Sequence, residues 1–256
     1  MQPERPSLIA RIAHALTKPA RKARYKRFKA GLGNAGDARA VFSEIYEGNL
    51  WNDVESRSGA GSTMAYTAGI RAALEDLLKR RGIGAFLDAP CGDFHWMSAV
   101  PMPGVRYIGG DIVPALVAAT AEKHADANRS FVTLDITRDP LPAADLWMCR
   151  DCLFHLSYAD IARALQRFTE SSIPLVLFTT YIVPPGGATF TNRNISTGDA
   201  RPIDLRAPPF NFPEPVERFD DWVPPFTPRE MGLWTREQLL PVAAAMKAQF
   251  LTPESR

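Results

Sequence analysis

Three cysteines, Cys91, Cys149 and Cys152, are all that 256 residues contain. That is too few for a disulfide framework and points to a reducing, cytoplasmic setting. No apolar run approaches the ~18 residues a transmembrane helix needs, so no membrane span is expected. "SLIARIAHAL" is apolar but short, and a basic run follows it, so no secretory leader is expected there. Neither G-x-G-x-x-G nor G-x-x-x-x-G-K-[ST] occurs, which argues against a dinucleotide fingerprint and a P-loop. There is no internal repeat and no low-complexity tract. The net charge of +2 says nothing by itself about nucleic acid.

The charge that is present is unevenly placed. Arg11 to Lys29 is rich in Lys and Arg and has no acid. It reads as a solvated helical arm with Ile12, Leu16, Tyr25 and Phe28 on one face, interrupted by Pro19. The sharper alternative is a surface for an anionic substrate or a peripheral membrane contact through residues 11–29. No nucleic-acid motif accompanies it.

Helical spacing is expected over 37–50 and 63–81, the second with Ala68, Ala72, Leu74, Leu77 and Leu78 as its stripe and Gly82 as its stop. Strand and helix then alternate. "GAFLDAP", "VRYIGGD", "SFVTLDI", "AADLWMCR" and "PLVLFTTY" read as strands. "HWMSAV", "PALVAATAEKHA" and "YADIARALQRFTES" read as helices, the second opened by Pro114. This predicts an α/β, Rossmann-like, doubly wound and mostly parallel sheet with helices on both faces. The expected organisation is a basic arm (1–36) and one domain (37–256). The domain divides into a helical lid (37–82), a core (83–181), an excursion (182–234) and a closing helix (235–256) capped by Thr235.

The excursion is dense in Pro, Asn and aromatics. Phe190, Phe210, Phe212, Phe219, Trp222, Phe226 and Trp234 are too many for a solvated coil, so an ordered cover at the sheet's C-terminal edge is expected. "VERFDDW" and "EMGLW" are its candidate strands.

Asp88, Asp111, Asp135 and Asp151 fall at or just past the ends of successive strands, where an open parallel sheet binds its ligand. A carboxylate there can accept from ribose hydroxyls, an ammonium or an adenine amino group. Asp88-Ala89-Pro90-Cys91-Gly92 resembles the first motif of class I S-adenosylmethionine-dependent methyltransferases. "YIGGDIVPALV", "FVTLDIT" and "DLWMCRDCLFHLS" resemble the second, third and fourth, in order, over Phe86 to Tyr181. Pro90 and Phe94 depart from the pattern, standing where the family has glycines. The resemblance implies a sheet of the seven-stranded type and S-adenosylmethionine as cofactor. It also implies a cofactor set of Asp88, Ala89, Pro90, Cys91, Gly92, Asp111 and Ile112 (ribose side), Asp135 and Ile136 (adenine side), and Arg150. A one-glycine loop suits this cofactor, which has no pyrophosphate.

A sulfonium methyl is already activated, so the enzyme aligns an acceptor and removes a proton. His155 is the first candidate base and Asp151 the second. His95 could touch the methionine arm or be structural; His14 and His124 read as surface residues. Cys149-Arg-Asp-Cys152, with Cys91, His95 and His155, could in form hold zinc or do redox chemistry; the preferred reading has no metal. Trp51 is expected near the methionine arm, with Arg57 or Ser62 at its carboxylate. Tyr181, Asn192, Arg193, Asn194, Phe210 and Asn211 are the candidate acceptor residues, for a small molecule or glycan hydroxyl. The competing class is a non-catalytic or regulatory binding domain of the same fold.

Overall fold

A computed structural model describes residues 23–32, 37–182 and 190–252. Residues 11–22 of the basic segment therefore lie outside the described residues, as do 183–189 of the excursion, 253–256 and His14. Residues 23–31 are helical. After them come α1 (Ala38–Gly48), α2 (Ala68–Arg80), β1 (Ala85–Asp88), β2 (Arg106–Asp111), α3 (Pro114–His124) and β3 (Arg129–Thr133). Then follow β4 (Leu146–Cys149), α4 (Tyr158–Glu170), β5 (Leu175–Tyr181), β6 (Glu217–Asp220), β7 (Arg229–Thr235) and α5 (Arg236–Phe250).

The seven strands form one sheet in the order β3-β2-β1-β4-β5-β7-β6. The first five are parallel, and β7 runs antiparallel to both β5 and β6. The central strands are apolar on both sides because both faces are covered. Leu87, Ile108, Trp147, Val176 and Phe178 pack on one face with α4 and α5. Phe86, Tyr107, Leu146, Met148 and Leu177 pack on the other with α2.

Local chemistry sets the element ends. Asp37 caps α1 by accepting from the Arg39 N–H. Gly82, at φ +61, ends α2 with paired bonds from its own N–H to Lys79 and from Ile83 to Leu78. Thr235 and Gln238 close a reciprocal cap on α5. Two expectations shift. The helix expected from 63 starts at Ala68, because Thr63 spends its hydroxyl on the Ala60 carbonyl in a preceding turn. Ala68 and Ala72 are exposed, and Ile70 joins Leu74, Leu77 and Leu78 in the buried stripe.

Candidate functional site

The reversal of strand order between β1 and β4, which run parallel, opens a crevice at the carboxyl ends of the strands, where such sheets bind ligands. A cavity of about 310 Å³ lies there. Asp88, Asp111, Asp135 and Asp151 all line it. Asp88 is buried at the end of β1 and accepts from the Tyr107 hydroxyl at 2.7 Å. Burial pushes its pKa up to about 7. Asp111 ends β2 and accepts the N–H groups of Val113 at 3.0 Å and Gly92 at 3.2 Å. Burial raises it to about 6. Each carboxylate retains unspent acceptor capacity toward the cavity. Asp135 accepts both the N–H and the hydroxyl of Thr137 on Oδ1. Ile112, Leu116, Leu134 and Ile136 give that end of the cavity apolar walls.

The first loop departs from expectation in an instructive way. Gly92 sits at φ +55, and a Cβ on it would lie 2.1 Å from the Ser58 hydroxyl oxygen. Its missing side chain thus makes room for the segment before α2 as well as for a ligand. Phe94, one of the two departures from the resembled motif, also takes positive φ (+57). Its ring is buried against Tyr107, Phe131 and His124, which offsets the backbone strain. His95 turns away from the loop to pair with Glu55 at 2.9 Å.

Residues 51–62 cross the cavity. Trp51, Arg57 and Ser62 line it, as do Ser58, Gly59 and Gly61. The Trp51 ring stacks near the His155 ring, with centroids 5.4 Å apart. The Arg57 guanidinium reaches the Tyr46 carbonyl at 3.4 Å. Pro90, Cys91 and Arg150 also line the cavity; Ala89 does not, and its carbonyl accepts from the Trp147 indole at 2.9 Å.

Beside residues 60–62 lies a buried ionic group, of which the sequence reading names Arg150 and Asp151 but not Asp221 and Arg229. Arg150 makes a bidentate pair with Asp221 through two 2.9 Å bonds and donates to the Gly61 carbonyl at 2.8 Å. Arg229 donates to Asp151 Oδ2 at 2.8 Å and to the Asp221 carbonyl at 3.1 Å. The rings of Trp96 and Tyr66 face the Arg150 guanidinium at 5.1 and 5.7 Å. The two acids and two bases balance, so the buried charges are paired. Gly61 is required here too, since a Cβ would meet Asp151 Oδ2 at 2.7 Å.

His155 and Asp151 differ in what they have free. Asp151 takes positive φ (+54), and its carboxylate is held by Arg229 and faces Arg150 at 3.5 Å. His155 Nδ1 lies 2.8 Å from the Asp199 carbonyl. A carbonyl only accepts, so Nδ1 carries the proton. Nε2 is then a lone pair with no bonding partner among the described residues. Burial holds the His155 pKa below its ordinary 6.5, keeping the ring neutral.

The excursion braces this turn. Gly198 donates to the His155 carbonyl at 2.8 Å, and Arg201 holds the Leu153 carbonyl at 3.0 Å and the Phe154 carbonyl at 3.2 Å through its own N–H. Arg201 is a buried guanidinium with no carboxylate partner among the described residues; burial lowers it to about 10. Asn194 accepts from the first N–H of α4 at 2.8 Å. Asn192 ties Asp204 and Pro208 together with bonds of 2.9 and 2.8 Å. Arg193 reaches the Ala200 carbonyl at 3.4 Å. Phe210 is buried against Tyr158, and Asn211 is exposed. None of these five lines the cavity, nor does Tyr181, which packs edge-on to Phe154. The polar side chains of Asn192, Arg193, Asn194 and Asn211 bond to the backbone and so order the excursion itself.

Cys91, Cys149 and Cys152 are buried free thiols, and no trio of His, Cys, Asp or Glu among the described residues is placed to hold a metal. No described helix is long and apolar enough to cross a membrane.

No protein-family model matches the chain, and no curated protein matches it in sequence. Its fold has many solved counterparts. PigF, solved with SAH, is 15% identical over 84% of this chain and 69% of its own, at TM-score 0.57. The 1,6-didemethyltoxoflavin-N1-methyltransferase of Burkholderia thailandensis, solved with 1,6-didemethyltoxoflavin and S-adenosylhomocysteine, is 19% identical at TM-score 0.53. That match spans 77% of this chain and 86% of the other. Magnesium protoporphyrin IX methyltransferase (ChlM) from Synechocystis PCC 6803, solved with SAM, is 14% identical over 78% and 97%, at TM-score 0.53. The chain has the fold of class I S-adenosylmethionine-dependent methyltransferases.

Proposed function

We propose that the chain binds S-adenosylmethionine in this cavity and transfers its methyl group to a hydroxyl of a small molecule or glycan, with His155 accepting the proton. The observation that carries the reading is the convergence of four strand-end carboxylates and one neutral histidine with a free Nε2 on a single cavity. The residues suit the group. Asp111 offers a charged acceptor to vicinal hydroxyls, Ile112, Leu116 and Ile136 offer apolar faces to a base, and Asp88 offers an acceptor to an ammonium. When bound, the cofactor supplies an electrophilic methyl. The protein supplies the rest. The Asp199 carbonyl orients His155, Trp51 covers its ring, and the strap over Gly92 screens the cavity from water. Asp151, held by Arg229, shapes the site and leaves proton removal to His155.

Thermal shift with S-adenosylmethionine and S-adenosylhomocysteine tests binding, and transfer of labelled methyl to a panel of hydroxyl acceptors tests chemistry. No shift with either ligand at about millimolar concentration, the upper end of usual KM values, would overturn the cofactor reading. Binding without turnover on any acceptor would favour a binding or regulatory domain of the same fold. One structural counterpart is an N1-methyltransferase. A ring-nitrogen acceptor with its own lone pair would leave activity intact in His155→Ala, and that outcome would exclude His155 as the proton acceptor.

A further inference from the structure

We propose that Asp93 is a positioning residue: it latches the strap 55–62 over the cavity and thereby sets how fast the cofactor leaves. The inference rests on the cofactor reading above.

The strap has little apolar anchorage. Val54, at its start, is 62% exposed, and Glu55, Arg57 and Ala60 are exposed as well. Polar bonds hold it, and the largest group of them converges on one carboxylate. Asp93 Oδ2 accepts the Arg57 N–H at 2.8 Å and the Ser56 hydroxyl at 2.9 Å. Oδ1 accepts from the Ser58 hydroxyl at 3.4 Å and the His95 N–H at 3.3 Å, while the Asp93 N–H donates to Ser58 Oγ at 3.2 Å. Further anchors flank this group: Asp53 Oδ1 accepts the N–H groups of Glu55 at 2.8 Å and Ser56 at 3.2 Å, and the Arg57 guanidinium reaches the Tyr46 carbonyl. Glu55 binds the Met64 N–H and His95, and the Gly61 carbonyl accepts from Arg150. A segment held by polar bonds and by no buried apolar side chain of its own opens at lower free-energy cost than the packed core. Because Ser58, Gly59, Gly61 and Ser62 form part of the cavity lining, opening the strap widens the way out for a bound ligand. Asp93 directly follows Gly92, whose absent Cβ admits Ser58. The same turn that receives the ligand therefore carries the catch.

The probe is S-adenosylhomocysteine. Its dissociation rate is read by stopped-flow tryptophan fluorescence, since Trp51 and Trp96 line the cavity. Hydrogen exchange of amides 56–62 is read with and without the ligand. Asp93→Ala should raise the dissociation rate by roughly tenfold or more, the worth of charge-assisted bonds, leave the association rate within about threefold, and speed exchange of the strap. Asp93→Asn should fall between, because its amide keeps an acceptor for His95 and turns a donor toward the Arg57 N–H. Gly92→Ala should lift the strap, and Ser58→Gly should partly restore it. An Asp93→Ala protein that folds, binds the probe and releases it at the wild-type rate overturns the latch. So does unchanged strap exchange in Asp93→Asn, which covers the case of an Ala variant that does not fold. If wild-type protein binds no probe, the cofactor reading fails, and ligand-free strap exchange alone decides the latch.

Discussion

The Asp199 carbonyl oxygen receives the Nδ1 proton of His155 at 2.8 Å, and this one backbone contact leaves Nε2 as the unprotonated face of the ring. The loop that supplies it is pinned in turn, by Gly198 to the His155 carbonyl and by Lys29 to the Asp199 carboxylate.

His155→Ala should lower turnover on a hydroxyl acceptor by about 10²–10⁴-fold, with the affinity for S-adenosylhomocysteine changed by less than about threefold, since the side chain contributes one wall of many. The acid limb of the wild-type rate should lie below pH 6.5, the ordinary value from which burial depresses this group. The same shift has a stability sign. Below 6.5 the unfolded chain takes a proton that the fold refuses, so stability present above 6.5 is lost as the pH falls through the folded value. Rate profiles and thermal unfolding of wild type against His155→Ala check both.

Asp111→Asn should reduce S-adenosylhomocysteine affinity by roughly tenfold or more, since an amide offers one acceptor in place of a charged pair. Wild-type affinity should fall as the pH drops through about 6, where Asp111 protonates. Its folded pKa is raised from 3.8, so the fold keeps a proton between those values. Burial of this group therefore costs stability increasingly as the pH rises across that window. Calorimetric titration at pH 5.5 and 7.5 reads the affinity; an Asn variant that binds like wild type would remove Asp111 from the ribose side.

Much of this was legible in the sequence because it depends on period and on local ends. Strands β1 to β5 announce themselves as short apolar runs, and Gly82, Pro114 and Thr235 mark helix ends by their own chemistry. The strand-end acids reach one cavity because parallel topology sends every such end to the same edge. What escaped is non-local. Asp221 and Arg229 meet Arg150 and Asp151 only because β7 inserts antiparallel between β5 and β6. Asn192, Asn194 and Arg201 order an aperiodic segment through bonds to backbone carbonyls and N–H groups, which no periodicity reports. The cluster of serines before α2 gave the one available hint, as hydroxyls in search of a carboxylate, which Asp93 supplies.

Asp221→Ala should destabilise the protein by about 3–5 kcal/mol, because it strands the buried Arg150 without its partner. Replacing both, as Arg150→Met with Asp221→Leu, should recover a large part of that loss while weakening S-adenosylhomocysteine binding, since Arg150 faces the cavity and carries the Gly61 carbonyl. Urea unfolding of the two single variants and the double variant gives the coupling. A single variant with wild-type stability would mean that the pair is not desolvated.

Asn192→Ala separates the two roles an asparagine in the excursion can have. Its amide nitrogen donates to the carbonyls of Asp204 and Pro208, and its oxygen accepts the Asp204 N–H at 3.0 Å. The side chain is buried and points away from the cavity lining. Truncation leaves those backbone groups without partners and should cost about 1–3 kcal/mol, visible as a lower urea midpoint with an unchanged slope. Affinity for S-adenosylhomocysteine should stay within about twofold at a temperature where the variant is folded, and the acceptor KM should follow it. A variant of wild-type stability with a raised acceptor KM would show the reverse: Asn192 would then contact the acceptor, and the excursion would have to open toward the cavity to let it do so.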